Sequence, residues 1–166
     1  IDFDACKSVV KRGNSGRYNL KPVLRAIPVL SAAGMRVVGY VAPAIAGTST
    51  TVSVQSGGVP VKASPPDSNG RFELYPVPAG SYDLVVSAAG HATAVVTGVP
   101  VTDAAPTTLN TAGLPIDPPV SAVRRAAGTV LNSDASVPTA MVRALKGLSG
   151  GTSIEVAAQP TDALDG

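Results

Sequence analysis

The residue types that carry most enzyme chemistry are scarce in this sequence. Its 166 residues include one cysteine, Cys6, and one histidine, His91. A Cys/His zinc site, a haem attachment motif or an internal disulfide each needs several such residues. His91 follows Gly90 at a turn, and no nucleophile and base arrangement surrounds it in the sequence. We therefore predict that the protein is not an enzyme and has no catalytic residue, no cofactor and no metal site.

The remaining candidates for metal chemistry are the acids and amides near turns, namely Asp67, Asn69 and Asp165. These residue types also occur in calcium-binding loops, but Asp-x-Asn-Gly is a common sequence in the turns of β-hairpins. No bidentate Glu follows at the spacing that an EF-hand requires. The pattern therefore favours a turn. For Cys6, the sequence favours a small buried hydrophobe over a partner for a cysteine outside this chain.

Composition indicates short strands and tight turns. The chain has 17 glycines, 15 prolines and 45% apolar residues, but only 14% charged residues against about 25% in an average domain. A mean hydropathy of +0.26 and a net charge of +2 argue against disorder. Lysines and arginines are scattered rather than clustered, which argues against a nucleic-acid partner.

The sequence shows no targeting or membrane signal. No window approaches the roughly 18 uninterrupted apolar residues of a membrane span, so no membrane span is predicted. The first residues lack the basic start and apolar core of a signal peptide. Because the chain begins with Ile1 rather than Met, we expect a mature or excised fragment.

An internal repeat organises the chain. One copy starts at Gly39 with GYVAPAIAGTSTTVSVQSGG, and the other starts at Gly128 with GTVLNSDASVPTAMVRALKG. Each opens with Gly-x-Val and passes through a Ser/Thr/Pro loop. An alternating strand, a glycine turn and a second alternating segment follow, ending at Gly70 in one copy and at Gly166 in the other. This layout predicts two copies of one β module.

After Gly70 the first copy continues with two more alternating segments. Side chains two residues apart share one face of a strand, so one face of each segment is expected to be buried. The predicted core residues are Phe72, Leu74, Tyr82, Leu84 and Val86. Strands of four to nine residues at regular spacing, with no convincing helix, predict an all-β fold of tandem antiparallel β-sandwich modules, the second incomplete.

The predicted domain boundaries follow from the repeat and from the prolines and glycines that separate the predicted strands. Residues 1–34 form an N-terminal strand segment, the end of a preceding domain or a donor strand. Residues 35–116 form a complete β-sandwich module, and residues 117–121 form a proline-rich linker. Residues 122–166 form a second, partial module.

The run DSNGRFELYPVPAGSYDLVVSAAGHAT, starting at Asp67, resembles a known pattern. It is similar to the carboxypeptidase regulatory-like and Cna-B-like modules of bacterial surface proteins, with their Asp-x-x-Gly-x-Phe-x-Leu and Pro-x-Gly-x-Tyr-x-Leu motifs. The resemblance implies small sandwiches of transthyretin-like, Ig-like topology. The opening GRYNLKPVLRAIPVL resembles the last strand of an exported domain of unknown function. Together they imply an extracellular or bacterial cell-surface location.

Some Cna-B-like modules carry a self-formed isopeptide bond between a lysine and an asparagine, assisted by a buried acid. By resemblance, Lys62 and Asn110 would be the pair, with Glu73 or Asp83 as the acid. The acid of that family usually follows the Tyr-x-Leu strand, where this chain has the apolar and hydroxyl residues of 85–87. We therefore do not predict the bond.

The two ends of the sequence suggest how the chain assembles. The second copy stops at Gly166, before the strands that would cover its apolar face, and Tyr18 to Leu30 is a long strand whose parent domain is absent. Uncovered faces and strand edges are templates for strand addition. We predict self-association through strand edges, with donor residues Val23, Leu24, Arg25, Ile27 and Val29. Truncation of a longer protein is the alternative interpretation.

These observations favour a non-catalytic structural module of a bacterial secreted or surface protein: a spacer, an adhesin stalk or a fibre subunit. A module that binds carbohydrate, including a cell-surface polysaccharide, is one alternative. Sugar platforms use exposed aromatic rings, however, and this chain has no Trp and only four tyrosines. The other alternative is the regulatory domain of an exported enzyme.

Overall fold

The computed structural model describes residues 2–3, 8–12, 17–29, 33–47, 49–122, 126–130 and 140–161. Cys6, Asp165 and Leu30 lie outside the described residues. The chain divides into two compact units. The larger unit comprises residues 28–124 and 145–156, and the smaller unit comprises residues 1–27, 125–144 and 157–166.

The described secondary structure is almost entirely β, as the sequence predicts. One short 3-10 helix, Pro43–Ile45, is present in the described part of the chain. No described helix is long and apolar enough to cross a membrane. The strands are β1 Asp2–Phe3, β2 Val9–Arg12, β3 Arg17–Leu20, β4 Leu24–Arg25, β5 Val37–Tyr40, β6 Thr50–Ser56, β7 Val59–Ser64, β8 Arg71–Leu74, β9 Gly80–Ala88, β10 Ala94–Val101, β11 Thr107–Thr108, β12 Met141–Gly147 and β13 Ser153–Pro160.

The larger unit contains a two-layered sandwich. A four-stranded sheet has the order β10-β9-β6-β7 with antiparallel neighbours. A three-stranded sheet has the order β11-β5-β8. In that sheet β5 is antiparallel to β8 and parallel to β11. The predicted β-sandwich is thereby confirmed for the first copy of the repeat, and its strand pairs are antiparallel except for β5 with β11.

The core lies between these two sheets, because the inward side chains alternate along each strand as the period of two requires. All five predicted core residues are buried there, with exposed fractions of 9% for Tyr82 and at most 1% for the other four. Valines of β5, β6 and β10 belong to the same cluster. Position 39 of β5, where the first copy of the repeat begins, is a glycine that packs against Phe72. A Cβ there would lie 2.6 Å from the Phe72 ring.

The chain after β11 runs back along the sandwich. Val41 and Ile116 form a parallel bridge, and His91 forms an antiparallel bridge with Val120. The amide of Ala92 donates to Pro119 O, and that of Ser121 donates to Gly90 O. Residues 119–121 of the predicted linker therefore run along the first module, since their backbone supplies hydrogen bonds to its β9–β10 turn.

The N-terminal segment differs from the long strand expected over Tyr18–Leu30. It forms two short strands: β3 pairs with β2, and β4 pairs with β1. The interruption falls at Lys21–Val23, where Pro22 has no N–H to donate to a ladder. The amides on either side of Pro22 donate hydrogen bonds to buried Ser8. Lys21 N donates to the Ser8 carbonyl, and Val23 N donates to the Ser8 hydroxyl.

Candidate functional site

A ladder of polar and aromatic side chains covers the outer face of the three-stranded sheet. Because Val37 pairs with Leu74 and Tyr40 pairs with Arg71, the outward residues of β5 stand opposite those of β8. The set consists of Arg36, Tyr40, Arg71, Glu73 and Tyr75, named here the outer ladder. The guanidinium of Arg36 lies 4.6 Å from the centroid of the Tyr75 ring, within the range of a cation–π contact.

Glu73 forms an ion pair with each of the two arginines of the outer ladder. Its Oε1 accepts from Arg36 Nη1 at 2.7 Å, and its Oε2 accepts from Arg71 Nη2 at 2.8 Å. The hydrogen bond to Glu73 raises the pKa of Arg71 above its usual value. All three charges are engaged with one another, so the ladder is a stabilised surface rather than an open charged platform.

The lysine and asparagine considered for an isopeptide bond, Lys62 and Asn110, lie on separate elements. The carboxamide of Asn110 accepts from Tyr40 N at 2.7 Å and donates to Tyr40 O at 2.9 Å and to Leu114 O at 3.1 Å. Lys62 lies on β7, at the edge of the four-stranded sheet. Asn110 therefore ties a loop to β5 through backbone groups.

The candidate calcium residues form a turn. Asp67 Oδ1 accepts from Asn69 N and Arg71 N, both at 2.9 Å. Its backbone N donates to Arg71 O, which closes the turn that leads into β8. Among the residues that the structure describes, no group of three or more His, Cys, Asp or Glu side chains is placed to hold a metal ion. His91 Nδ1 lies 2.9 Å from Ala89 O, within its own turn.

The hairpin of the second copy contrasts with its counterpart in the first. In the first copy β6 lies between β9 and β7. In the described part of the second copy, β12 corresponds to β6 and has β13 as its strand neighbour. Val142 and Leu145 of β12 are 50% and 55% exposed. Among the described residues, no strand lies on the side of β12 that would correspond to the β9 side of β6.

The tip of this hairpin, residues 145–156, belongs to the larger unit. Gln55 of β6 bonds to the backbone of Glu155, donating from Nε2 to its carbonyl at 2.9 Å and accepting its amide at 2.7 Å. Gln55 is 2% exposed, and Ile154 is fully buried. Gln55 was not among the residues predicted from the sequence, where the available signal was a long polar side chain beside the Gly57–Gly58 turn.

The predicted donor residues lie mostly on the surface. Val23, Leu24 and Val29 are 41%, 60% and 54% exposed, and Ile27 is partly buried. Leu24 and Arg25 pair through their backbones with Phe3 and Asp2.

Taken together, the two sheets and the core between them define a small all-β sandwich module. Comparison with known families gives a more specific assignment. Residues 36–113 match the family model of the carboxypeptidase regulatory-like domain, which confirms the resemblance drawn from the Phe-x-Leu and Tyr-x-Leu motifs. The Cna-B-like comparison and that of the N-terminal segment remain predictions. No curated protein matches the chain.

Two solved structures also match part of the chain. They are an N-terminal and a C-terminal interface mutant of a type II Cohesin-X-Dockerin complex from Acetivibrio cellulolyticus. The identity is 32% in both, over 51% of this chain and 57% of the matched chain. The TM-scores are 0.44 and 0.43. The chain thus spans little more than half the length of these matches.

Proposed function

We propose that this chain is a non-catalytic structural part of a bacterial secreted or cell-surface protein, acting as a spacer, adhesin stalk or fibre subunit. Its organisation would be a complete module over residues 35–116, a linker over 117–121 and a second module within 122–166. The family match at residues 36–113 and the internal repeat support this organisation.

The observation that carries the proposal is that, among the described residues, no strand lies beside β12 on the side away from β13. An exposed strand edge with apolar side chains invites pairing with a further strand, because pairing satisfies its backbone groups and covers its apolar surface. In the first copy the equivalent side of β6 is covered by β9 along six registered pairs, from Thr50–Ala88 to Gln55–Asp83. The proposed function therefore includes completion of the second module by an added strand.

The proposed donor is the segment that carries Val23, Leu24, Arg25, Ile27 and Val29, supplied by another copy of the chain. Within the described residues, its backbone pairing with β1 covers two residues, so we expect little to be lost when it exchanges partners. Pro22 and Pro28 confine the donated ladder to residues 23–27. A head-to-tail contact that does not close on itself generates a fibre.

A sugar-binding role receives less support from the tyrosines. A stacking platform needs an open ring face, but Arg36 covers the Tyr75 ring and Tyr82 is in the core. Tyr40 is only partly exposed within the outer ladder, and Tyr18 of β3, which is 66% exposed, is a single ring.

The proposal is tested by the concentration dependence of assembly of the full chain, measured by light scattering and negative-stain microscopy. Ile27→Asp on the donor and Val142→Asp on β12 should each abolish assembly, because each puts an unpaired charge into the new contact. Leu114→Asp is the control, since Leu114 is 77% exposed on a loop of the first module. A wild-type chain that stays monomeric, or fibres that survive both substitutions, would contradict the proposal.

A further inference from the structure

The outward face of the four-stranded sheet is covered at one end. Along β6, Val52 and Val54 point into the core, so Ser53 and Gln55 point outward. Outward residues of such a sheet normally meet water. Here Ser53 and Gln55 are 7% and 2% exposed, and Val85, the partner of Ser53 in β9, is also 2% exposed.

The segment lying against Gln55 is the start of β13. The two hydrogen bonds between the Gln55 carboxamide and the Glu155 peptide reproduce the donor and acceptor exchange between opposite residues of an antiparallel ladder. Gln55 Nε2 also lies 3.1 Å from Ser53 Oγ, which orients the carboxamide. Ile154, the residue before Glu155, is fully buried.

The turn between β6 and β7 leaves room for the same segment. Gly57 and Gly58 both have positive φ, +55° and +74°. A Cβ added to Gly58 would lie 2.8 Å from Ser153 O, whereas a Cβ on Gly57 would meet nothing within 4 Å. The absence of a side chain at position 58 therefore permits the close approach of Ser153.

From this geometry we propose that Ser53, Gln55, Gly58 and Val85 form a strand-capture site, whose occupant is Ser153–Val156 of the second copy. The inference rests on the proposed function and deepens it, since it names how the second copy is held. A carboxamide that bonds to a peptide group recognises extended backbone, and the buried Ile154 supplies the apolar contact. An empty site would leave the Gln55 amide without its peptide partner.

The repeat makes the capture directional. At the spacing of 89 residues that relates Gly39 to Gly128, Gly58 corresponds to Gly147, but Gln55 corresponds to Ala144. The turn glycine is shared, and the carboxamide is not. The first copy therefore captures the second, and the second copy has no equivalent carboxamide with which to capture a third.

The test is hydrogen exchange of the backbone amides in residues 152–157 of the full chain. Gly57→Ala and Gly58→Ala both place a side chain on left-handed backbone, and only the second obstructs Ser153. Gly58→Ala should raise exchange in this segment at least about tenfold more than Gly57→Ala does. Equal exchange in the two variants would overturn the inference.

Gln55→Ala gives an independent arm, with Gln159→Ala as its control because Gln159 is an exposed residue of β13. Exchange at the Glu155 amide should rise at least about tenfold in Gln55→Ala and stay unchanged in the control, while amides of β8 and β9 keep their protection. Unchanged exchange, or a parallel rise throughout β8 and β9, would overturn the capture site. Both hydrogen-exchange experiments are measured on the monomer. They therefore test the capture site even if the chain does not assemble into fibres.

Discussion

Strands β6 and β12 have matching positions in the two copies of the predicted repeat, yet their surroundings differ. In β6, five of seven residues are buried, and the strand has neighbours on both sides. In β12, six of seven residues are exposed, and β13 is its neighbour within the described chain. An alternating strand and a glycine turn therefore specify a hairpin, whereas burial depends on what the rest of the fold places beside it.

The largest expected effect separates the buried leucine of the first copy from an exposed one of the second. Leu84→Ala should lower the free energy of unfolding by about 2–5 kcal/mol, because a fully buried side chain leaves a cavity. Leu145→Ala should change it by less than about 0.5 kcal/mol in the monomer. Urea unfolding followed by circular dichroism measures both. Similar losses would mean that β12 is covered in solution.

Next in size is the loss of the Asn110 carboxamide, which ties the loop after β11 to β5. Asn110→Ala should cost about 1–3 kcal/mol, because the partly buried peptide groups of Tyr40 lose their partner. Asn19→Ala, at an exposed position of β3, is the control and should be nearly neutral. A neutral Asn110→Ala would show that the three hydrogen bonds are readily replaced by water.

A smaller effect, with a distinctive pH dependence, is expected at Tyr82. Its hydroxyl donates to Pro78 O at 2.8 Å, so Tyr82→Phe should cost about 0.5–1.5 kcal/mol near neutral pH. Burial raises the pKa of Tyr82 above its usual value. The stabilisation that the protonated Tyr82 hydroxyl contributes is complete below about pH 10, where this tyrosine is still protonated in the unfolded chain. It is lost as pH rises through the higher folded-state pKa.

The free energy of unfolding of the wild type and of Tyr82→Phe, measured between about pH 8 and 11.5, tests this direction of the pH dependence. The difference between them should shrink or reverse above about pH 10, since the phenylalanine has no proton to lose. A constant difference across this range would contradict the assignment.

The smallest effect is expected in the outer ladder of the first copy. Glu73→Gln removes the charge of both ion pairs, which are partly exposed, and should cost about 0–1 kcal/mol at low salt. The cost should diminish in 1 M salt, because exposed pairs are screened. A loss of several kcal/mol, insensitive to salt, would show that the ladder supports the core.

Sequence reasoning succeeded where the physical signal is local. The alternation of Phe72 with Leu74 and of Tyr82 with Leu84 and Val86 fixed which faces are buried, and the Asp67 turn followed from its own residues. It failed where the partner is distant in sequence. Gln55 meets Glu155 across 100 residues, and no periodicity relates the two.

The outer ladder could not be predicted from the sequence either, because its side chains come together only when β5 and β8 pair in this register. The break in the N-terminal strand was readable from Pro22. Its two short pairings were not, because they depend on partners such as Ser8 and the residues of β1.

The parallel alignment of β5 with the segment that leaves the module has a mechanical consequence. Backbone hydrogen bonds join residues 36–42 to residues 107–116, and the Asn110 carboxamide bridges the gap between them. In a stretched chain, tension pulls the start of β5 and the end of this segment in opposite directions along their lengths. Two parallel strands loaded in this way slide past one another. Their hydrogen bonds share the load together instead of opening one by one, so the module resists extension at the point where the force enters and leaves it.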